Sequence, residues 1–165
     1  MIEKVILGFG SNAGNRLNNI TSAVKRISYN RDFDLISLSS VYETEPWGYS
    51  KQNSFLNCCG VFLCRLGAPE LMKFLRKTEI SLGRIRREKW RSREIDIDVL
   101  FYGKSIINKK GLVVPHPMIS ARNFVLIPLV EIVPGFIHPK SRLTVEKILA
   151  DSKDKCKVRL LKKRN

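Results

Sequence analysis

Ile95-Asp96-Ile97-Asp98-Val99-Leu100-Phe101-Tyr102 decides the fold, and Gly103 ends it. Alternation at period two marks a strand with one face buried. Residues two apart share a face, so Asp96 and Asp98 stand side by side. Ile95, Ile97, Val99 and Phe101 then face the other way. Three more strands and two helices precede this one. Val5 to Phe9 reads as a first strand, broken by Gly10-Ser11-Asn12. Leu17, Ile20, Val24 and Ile27 then recur at helical spacing. Asp34 to Tyr42 reads as a second strand and Phe55 to Leu66 as a third. Pro69 sits where a helix begins, and Leu71, Phe74, Leu75 and Leu82 continue it. The order β-α-β-β-α-β predicts an α+β, ferredoxin-like domain: an antiparallel sheet with its helices packed on one face.

The segments between these elements are polar. Glu43 to Ser54 holds Pro46 and Gly48 and reads as a loop, and Arg84 to Glu94 is a second, charged loop. Both are expected to border the exposed face of the sheet, where loops on a rigid scaffold often carry function. Beyond Gly103 the pattern predicts short strands around Ile106 and Val113, a helix after Asn123 and another from Thr144. At 165 residues the chain is expected to form a single domain over 1–165. Residues 153–165 form a basic C-terminal end, read as a solvated tail.

Thirty Lys and Arg against fifteen Asp and Glu give a net charge of +15. That excess favours a polyanionic partner: nucleotide, nucleic acid or membrane surface. No apolar run approaches the ~20 residues of a membrane span. No secretion signal is visible, so a cytoplasmic location is expected. Cys58, Cys59 and Cys64 lie in an apolar run, and none of the four cysteines forms a C-x-x-C pair. They read as reduced core thiols, not as a zinc site.

The acidic pair poses an electrostatic problem. Two like charges about 4 Å apart repel by about 4 kcal/mol at an effective dielectric near 20. A divalent cation offsets that, and oxygen ligands suit Mg²⁺. Arg84, Arg86, Arg87, Arg91 and Arg93 come just before the pair, and the guanidinium fork matches phosphate oxygens. Carboxylates for a metal and arginines for phosphate point together to phosphoryl or pyrophosphoryl transfer. The bland alternative for each alone is a solvated edge and a solvated basic loop. Their adjacency favours chemistry. Phe55 and Asn57 share a face by the same two-residue period. An amide beside an aromatic suits a flat heterocycle, which stacks on one and is read by the other. His116 sits between Pro115 and Pro117, held rigidly where it can donate to a phosphate oxygen.

Three lookalikes fail. Gly103-Lys104-Ser105 lacks the earlier glycine of a P-loop, so Gly103 reads as a hairpin turn. Gly8-Phe9-Gly10 with Gly14 has the wrong spacing for a dinucleotide-binding turn. The same Gly-Phe-Gly lies on the wrong strand for an RNA-recognition motif.

The ordered set of motifs resembles one family. The pieces are Gly10-Ser11-Asn12, Tyr42-Glu43-Thr44-Glu45-Pro46, Phe55-Leu56-Asn57 and Gly83-Arg84-Ile85-Arg86. Trp90 and Arg93 follow, then Ile95 to Leu100, Pro115-His116-Pro117 and Arg122-Asn123-Phe124-Val125-Leu126. In that order they are similar to the 6-hydroxymethyl-7,8-dihydropterin pyrophosphokinases of folate biosynthesis, whose fold is ferredoxin-like. The resemblance implies transfer of diphosphate from ATP, as co-substrate, to the pterin hydroxymethyl group, with release of AMP. It implies that Asp96 and Asp98 bind two Mg²⁺, and that Arg84 and Arg93 act in catalysis with them. Arg84, Arg86, Trp90, Arg93, His116, Arg122 and Glu79 are implied on the ATP and phosphate side. Thr44, Pro46, Trp47, Phe55, Asn57 and Phe124 are implied around the pterin. It implies small-molecule substrates with no nucleic acid or membrane partner, and a monomer. Where the family usually has Gly-Pro-Arg, this chain has Arg91-Ser92-Arg93. Two rivals are a basic RNA-binding domain and another nucleotide-dependent kinase on the same scaffold. The first leaves Asp96 and Asp98 unexplained, since they repel a phosphate backbone unless a metal intervenes.

Overall fold

The computed structural model describes residues 2–45, 53–85 and 92–163. In chain order the first elements are β1 (Glu3–Ser11), α1 (Arg16–Ser28), β2 (Phe33–Leu38), β3 (Val41–Thr44) and β4 (Phe55–Cys64). Next come α2 (Ala68–Ser81), β5 (Asp96–Tyr102), β6 (Ile107–Lys109) and β7 (Leu112–Val114). A short 3₁₀ turn at Ile119–Ala121 leads to α3 (Asn123–Ile132), α4 (Val145–Ala150) and β8 (Val158–Lys162). The main sheet runs β5-β1-β4-β3-β8, with β2 also on β4, and every pairing in it is antiparallel. This is the ferredoxin-like order expected from the sequence.

One face of the sheet follows directly from alternation. Val5, Leu7 and Phe9 of β1 point to the same side as Phe62 of β4 and Ile97 and Val99 of β5. The amphipathic stripe of α1, namely Ile20, Ala23, Val24 and Ile27, closes over them with Leu71 and Leu75 of α2. Burying each large side chain contributes roughly 1.5–3 kcal/mol. Asn15 caps α1 by accepting the Asn18 amide, and Pro69 lies in the first turn of α2.

The opposite face departs from expectation, because helices cover part of it too. α3 and α4 bring Val125, Leu126, Leu129, Val145 and Ile148 against Ile6, Val61 and Leu100. Phe101 also lies on this side. Leu7 pairs with Val99 but Ile6 pairs with Phe101, so Leu100 is an extra residue in the ladder. Such a bulge turns the next side chain to the other face. Phe101 therefore shares a face with the acidic pair and meets Phe136, ring centroids 4.6 Å apart.

The predicted second strand is two. Both β2 and β3 pair with β4, and the register slips between them. Ser39 and Ser40 are buried at the break. Ser39 Oγ accepts the Cys59 amide, while the Ser40 amide and hydroxyl donate to Glu131 of α3 at 2.9 and 2.7 Å. These bonds satisfy groups that would otherwise be costly to bury. The C-terminal end is not simply a solvated tail. β8 pairs with β3 along the sheet edge, although most of its side chains are exposed. Gly103 is a turn with φ +52°, but the strands after it pair with each other, so the hairpin is β6–β7. Among the described residues the cysteines are free, and no helix is long and apolar enough to cross a membrane.

Candidate active site

Strand register builds the site. Gly10 of β1 has Asp96 opposite it on one side and Asn57 on the other, and Asn57 in turn faces Tyr42. In the neighbouring row, Gly8 lies between Asp98 and Cys59. All these positions are on the face away from α1 and α2. Opposed residues in an antiparallel pair stand about 4.5–5.5 Å apart at Cβ. Two glycines in the middle strand therefore leave a trough between the carboxylates and the amide. A Cβ at Gly10 would come within 3.3 Å of Asn57 Oδ1, and one at Gly8 within 3.4 Å of Leu100. Glycine here provides space, not an unusual backbone angle.

The trough opens into a cavity of about 160 Å³. Thr44, Phe55, Asn57 and Phe124 line one part of it, and Arg93, Asp96, Asp98 and Arg122 the other. Asn57 is only 7 % exposed, and its Nδ2 donates to Thr44 Oγ1 at 2.9 Å. That bond fixes the amide plane, so its orientation is preset for a ligand. The Arg122 guanidinium lies 5.6 Å from the centre of the Phe124 ring.

The basic side is tied to the acidic pair. Arg84 Nη1 contacts Asp96 Oδ1 at 2.9 Å and also contacts Glu79. Arg93 Nη1 contacts Asp96 Oδ2. Glu79, buried on α2, accepts the Ile97 amide of β5 at 2.8 Å. Burial pushes the Glu79 carboxyl up, while the Ile97 amide and Arg84 pull it back down. For Arg84, burial works against the charge, but Asp96 and Glu79 leave it raised overall.

Burial also pushes Asp98 up, to about 7, with Asp96 acting in the same direction and Arg122 opposing. Arg122 is lowered by burial, against the pull of Asp98 and Asp96. His116 is lowered to about 4, first by burial and then by Arg122. Its Nδ1 accepts the Met118 amide at 3.2 Å, so the neutral ring carries its proton on Nε2. The His116 amide donates to Leu100 O at 3.0 Å, which ties this segment to β5.

The structure thus gathers eight expected site residues on one cavity: Thr44, Phe55, Asn57, Arg93, Asp96, Asp98, Arg122 and Phe124. Glu79 and Arg84 stand behind the acidic pair, and His116 lies outside the lining of that cavity. Pro46, Trp47, Arg86 and Trp90 lie outside the described residues. Sequence reasoning missed Gly8 and Gly10 as the floor. It also missed Asn12, whose amide donates to Arg93 O at 3.0 Å and whose Oδ1 accepts the Arg93 amide at 2.7 Å. Asn19 adds a bond to Glu94 O at 2.8 Å. The signal was available: in an antiparallel pair, the residues that end β1 must border those that begin β5.

The donor set fits a hard divalent cation. A close pair of carboxylates, one with its pKa raised by burial and further by the other, favours a cation between them. Among the described residues no third His, Cys, Asp or Glu completes a cluster. Mg²⁺ suits such a site because it keeps water and phosphate oxygens among its ligands.

Fold and trough together place the chain among α+β enzymes of phosphoryl and diphosphoryl transfer. Comparison with known proteins sharpens this. The family model described as 7,8-dihydro-6-hydroxymethylpterin-pyrophosphokinase (HPPK) matches residues 6–134, and the chain belongs to that family. It is 41 % identical over 135 residues to a protein of Aquifex aeolicus named 2-amino-4-hydroxy-6-hydroxymethyldihydropteridine pyrophosphokinase, covering 82 % of this chain and 83 % of that one. A Synechocystis protein of the same name is 34 % identical, covering 87 % of this chain and 73 % of that one. Among solved structures, Plasmodium falciparum HPPK-DHPS A437G with STZ-DHP has a similar fold, with a TM-score of 0.74 at 14 % identity. That match covers 91 % of this chain and 45 % of the larger solved chain.

Proposed function

We propose that the trough is where this pyrophosphokinase of folate biosynthesis moves diphosphate from ATP to 6-hydroxymethyl-7,8-dihydropterin, with one catalytic domain over 1–165. The supporting observation is the row Asp96–Gly10–Asn57, which puts a phosphate-side carboxylate and a ring-reading amide on either side of an empty strand position. The pterin ring lies between Phe55 and Phe124, with its donors and acceptors read by Asn57. Thr44 borders its edge, and the family resemblance assigns Pro46 and Trp47 to the same ring.

Arg93 and Arg122 face the same cavity and bind the phosphates. Arg84, steadied by Glu79, supports the Asp96 side. The Nε2–H of His116 adds a donor on the ATP side, to which the family resemblance also assigns Arg86 and Trp90. Two Mg²⁺ held by Asp96 and Asp98 would neutralise phosphate charge. The pterin hydroxyl oxygen forms a bond to the β-phosphorus as the bond from that phosphorus to the oxygen of AMP breaks. The hydroxyl proton passes to solvent, so the pterin alcohol and ATP give the pterin diphosphate, AMP and H⁺. The residues named contribute positioning and electrostatic stabilisation, on which phosphoryl transfer mainly depends. Small molecules are the partners in this reading, with a monomeric enzyme in the cytoplasm and no nucleic acid or membrane contact. An RNA-binding role fits poorly with a carboxylate pair lining the cavity.

The test is AMP release from ATP and Mg²⁺, measured with and without 6-hydroxymethyl-7,8-dihydropterin. Release that depends on the pterin is expected. A protein that releases no AMP, but binds RNA with steep salt dependence, would overturn the reading.

A further inference from the structure

α3 carries Phe124 in its first turn and follows directly on Arg122, yet Arg122 gives it no side-chain cap. The opening amides of a helix need partners from somewhere. Asp154, far along the chain, supplies one. Its Oδ2 accepts the Asn123 amide at 2.7 Å, and its carbonyl accepts Asn123 Nδ2 at 2.9 Å. Its Oδ1 accepts the Cys156 amide at 2.9 Å, which fixes the carboxylate itself. A carboxylate at a helix N-terminus also complements the helix dipole.

The chain then crosses to the other wall of the cleft. Val158 pairs with Thr44 and Arg159 with Glu43 in the β3–β8 ladder. Cys156 Sγ approaches Glu45 O at 3.7 Å. The Arg159 guanidinium contacts Glu43, whose Oε1 also meets Arg16 at 3.0 Å and Ser54 Oγ at 3.0 Å. Thr44 and Glu45 line one side of the cavity, and Arg122, Phe124 and Val125 line the other. A handful of consecutive residues therefore grips both walls. They lie beyond residue 134, where the family match ends.

We infer that residues 154–162 are a strap that sets the width of the pterin cleft, with Asp154 as a positioning residue for Phe124 and Arg159 as its anchor on β3. The inference rests on the reading of this cleft as the pterin site. Without the strap, the N-terminal turn of α3 frays and the aromatic wall moves relative to Asn57. Pterin capture weakens, while the chemistry of the bound substrates is largely kept.

The experiment compares Asp154→Ala, Asp154→Asn and Arg159→Ala in the full chain, with Asp151→Ala as an exposed acidic control nearby. Asp154→Ala is expected to raise the KM for 6-hydroxymethyl-7,8-dihydropterin roughly tenfold, with kcat within about threefold. Asp154→Asn keeps one oxygen for the Asn123 amide but turns its NH₂ toward the Cys156 amide, so a KM between those of the parent and Asp154→Ala is expected. Arg159→Ala should shift KM in the same direction, and it serves as the test should Asp154→Ala fail to fold. Hydrogen exchange of the unliganded protein gives a readout independent of activity: the amides of residues 123–126 should exchange faster in Asp154→Ala. If Asp154→Ala and Arg159→Ala fold and keep the parental pterin KM, the strap is only a stabilising element and the inference is wrong. If the parent shows no pterin-dependent AMP release but exchange at 123–126 still speeds up, the substrate assignment fails, and only the tie between Asp154 and α3 stands.

Discussion

The two faces of the sheet use the same strands in opposite ways. On the α1–α2 face, Val5, Leu7 and Phe9 fill three successive inward positions of β1 before the buried Ser11 ends the strand. On the other face, the intervening positions of β1 run from Ile6, which is packed, to Gly8 and Gly10, which have no side chain. One face is a finished core. The other is a core at one end and an open trough at the other. β1 can afford those glycines because its other face is so fully packed that the strand holds its place without their side chains. Stability and function are thus separated by strand alternation, residue by residue.

This separation can be broken deliberately. The largest effect is expected from Asp96→Ala on the trough face. AMP formation should fall by about three orders of magnitude or more while the fold persists, since the variant removes stabilisation at the reacting phosphates. Near-normal turnover in a rate assay would take the acidic pair out of the mechanism. On the packed face, Leu7→Ala should cost about 2–5 kcal/mol in denaturant unfolding and leave the KM values of the folded enzyme unchanged. An altered pterin KM there would show that the two faces are not independent.

A smaller effect is expected from Gly10→Ala, which puts a Cβ 3.3 Å from an Asn57 oxygen whose amide is already held by Thr44. The pterin KM should rise roughly tenfold with little change in stability, equivalent to about 1.4 kcal/mol of binding. Unchanged affinity would mean the ring does not use that space. The smallest effect is in the pH dependence of stability. Between the ordinary carboxylate value of 3.8 and about 7, folded Asp98 keeps a proton that the unfolded chain has released. Stability contributed by this group therefore falls as pH rises through that window. With chelator present, Asp98→Asn should melt a few degrees above the parent at pH 8, with the gap closing toward pH 4. A gap of equal size at both pH values would contradict the burial of that charge.

Much of this was legible in the sequence because period two is a strong local signal. It put Asp96 with Asp98, and Phe55 with Asn57, on shared faces, and the structure keeps both pairs. It failed at Phe101, where Val99-Leu100-Phe101 is apolar throughout and the bulge leaves no mark in the pattern. The Ser39-Ser40 break was hidden for a related reason. Its serines look like ordinary polar strand positions until Glu131 arrives from α3. β8 was obscured by the lysines and arginine around Val158 and Leu160, whose charge suggested a tail. The partnership of Asp154 with Asn123 has no local signature, because it spans 31 residues. Family resemblance supplied roles for Glu79 and Arg122 that alternation alone does not give. The structure added the physical links between them: the Ile97 amide for Glu79 and the Phe124 ring for Arg122.

The bare positions on β1 also have a thermodynamic consequence. A flat ring laid over Gly8 and Gly10 would act as the side chains those residues lack, extending the apolar packing begun by Ile6 and Leu100. Substrate capture would then resemble a last step of folding. Its signature would be a negative heat-capacity change on binding. The melting temperature would climb with pterin concentration, by about 2.7 kcal/mol of stability at a hundred times Kd. On this reading the substrate would be a removable piece of the interior.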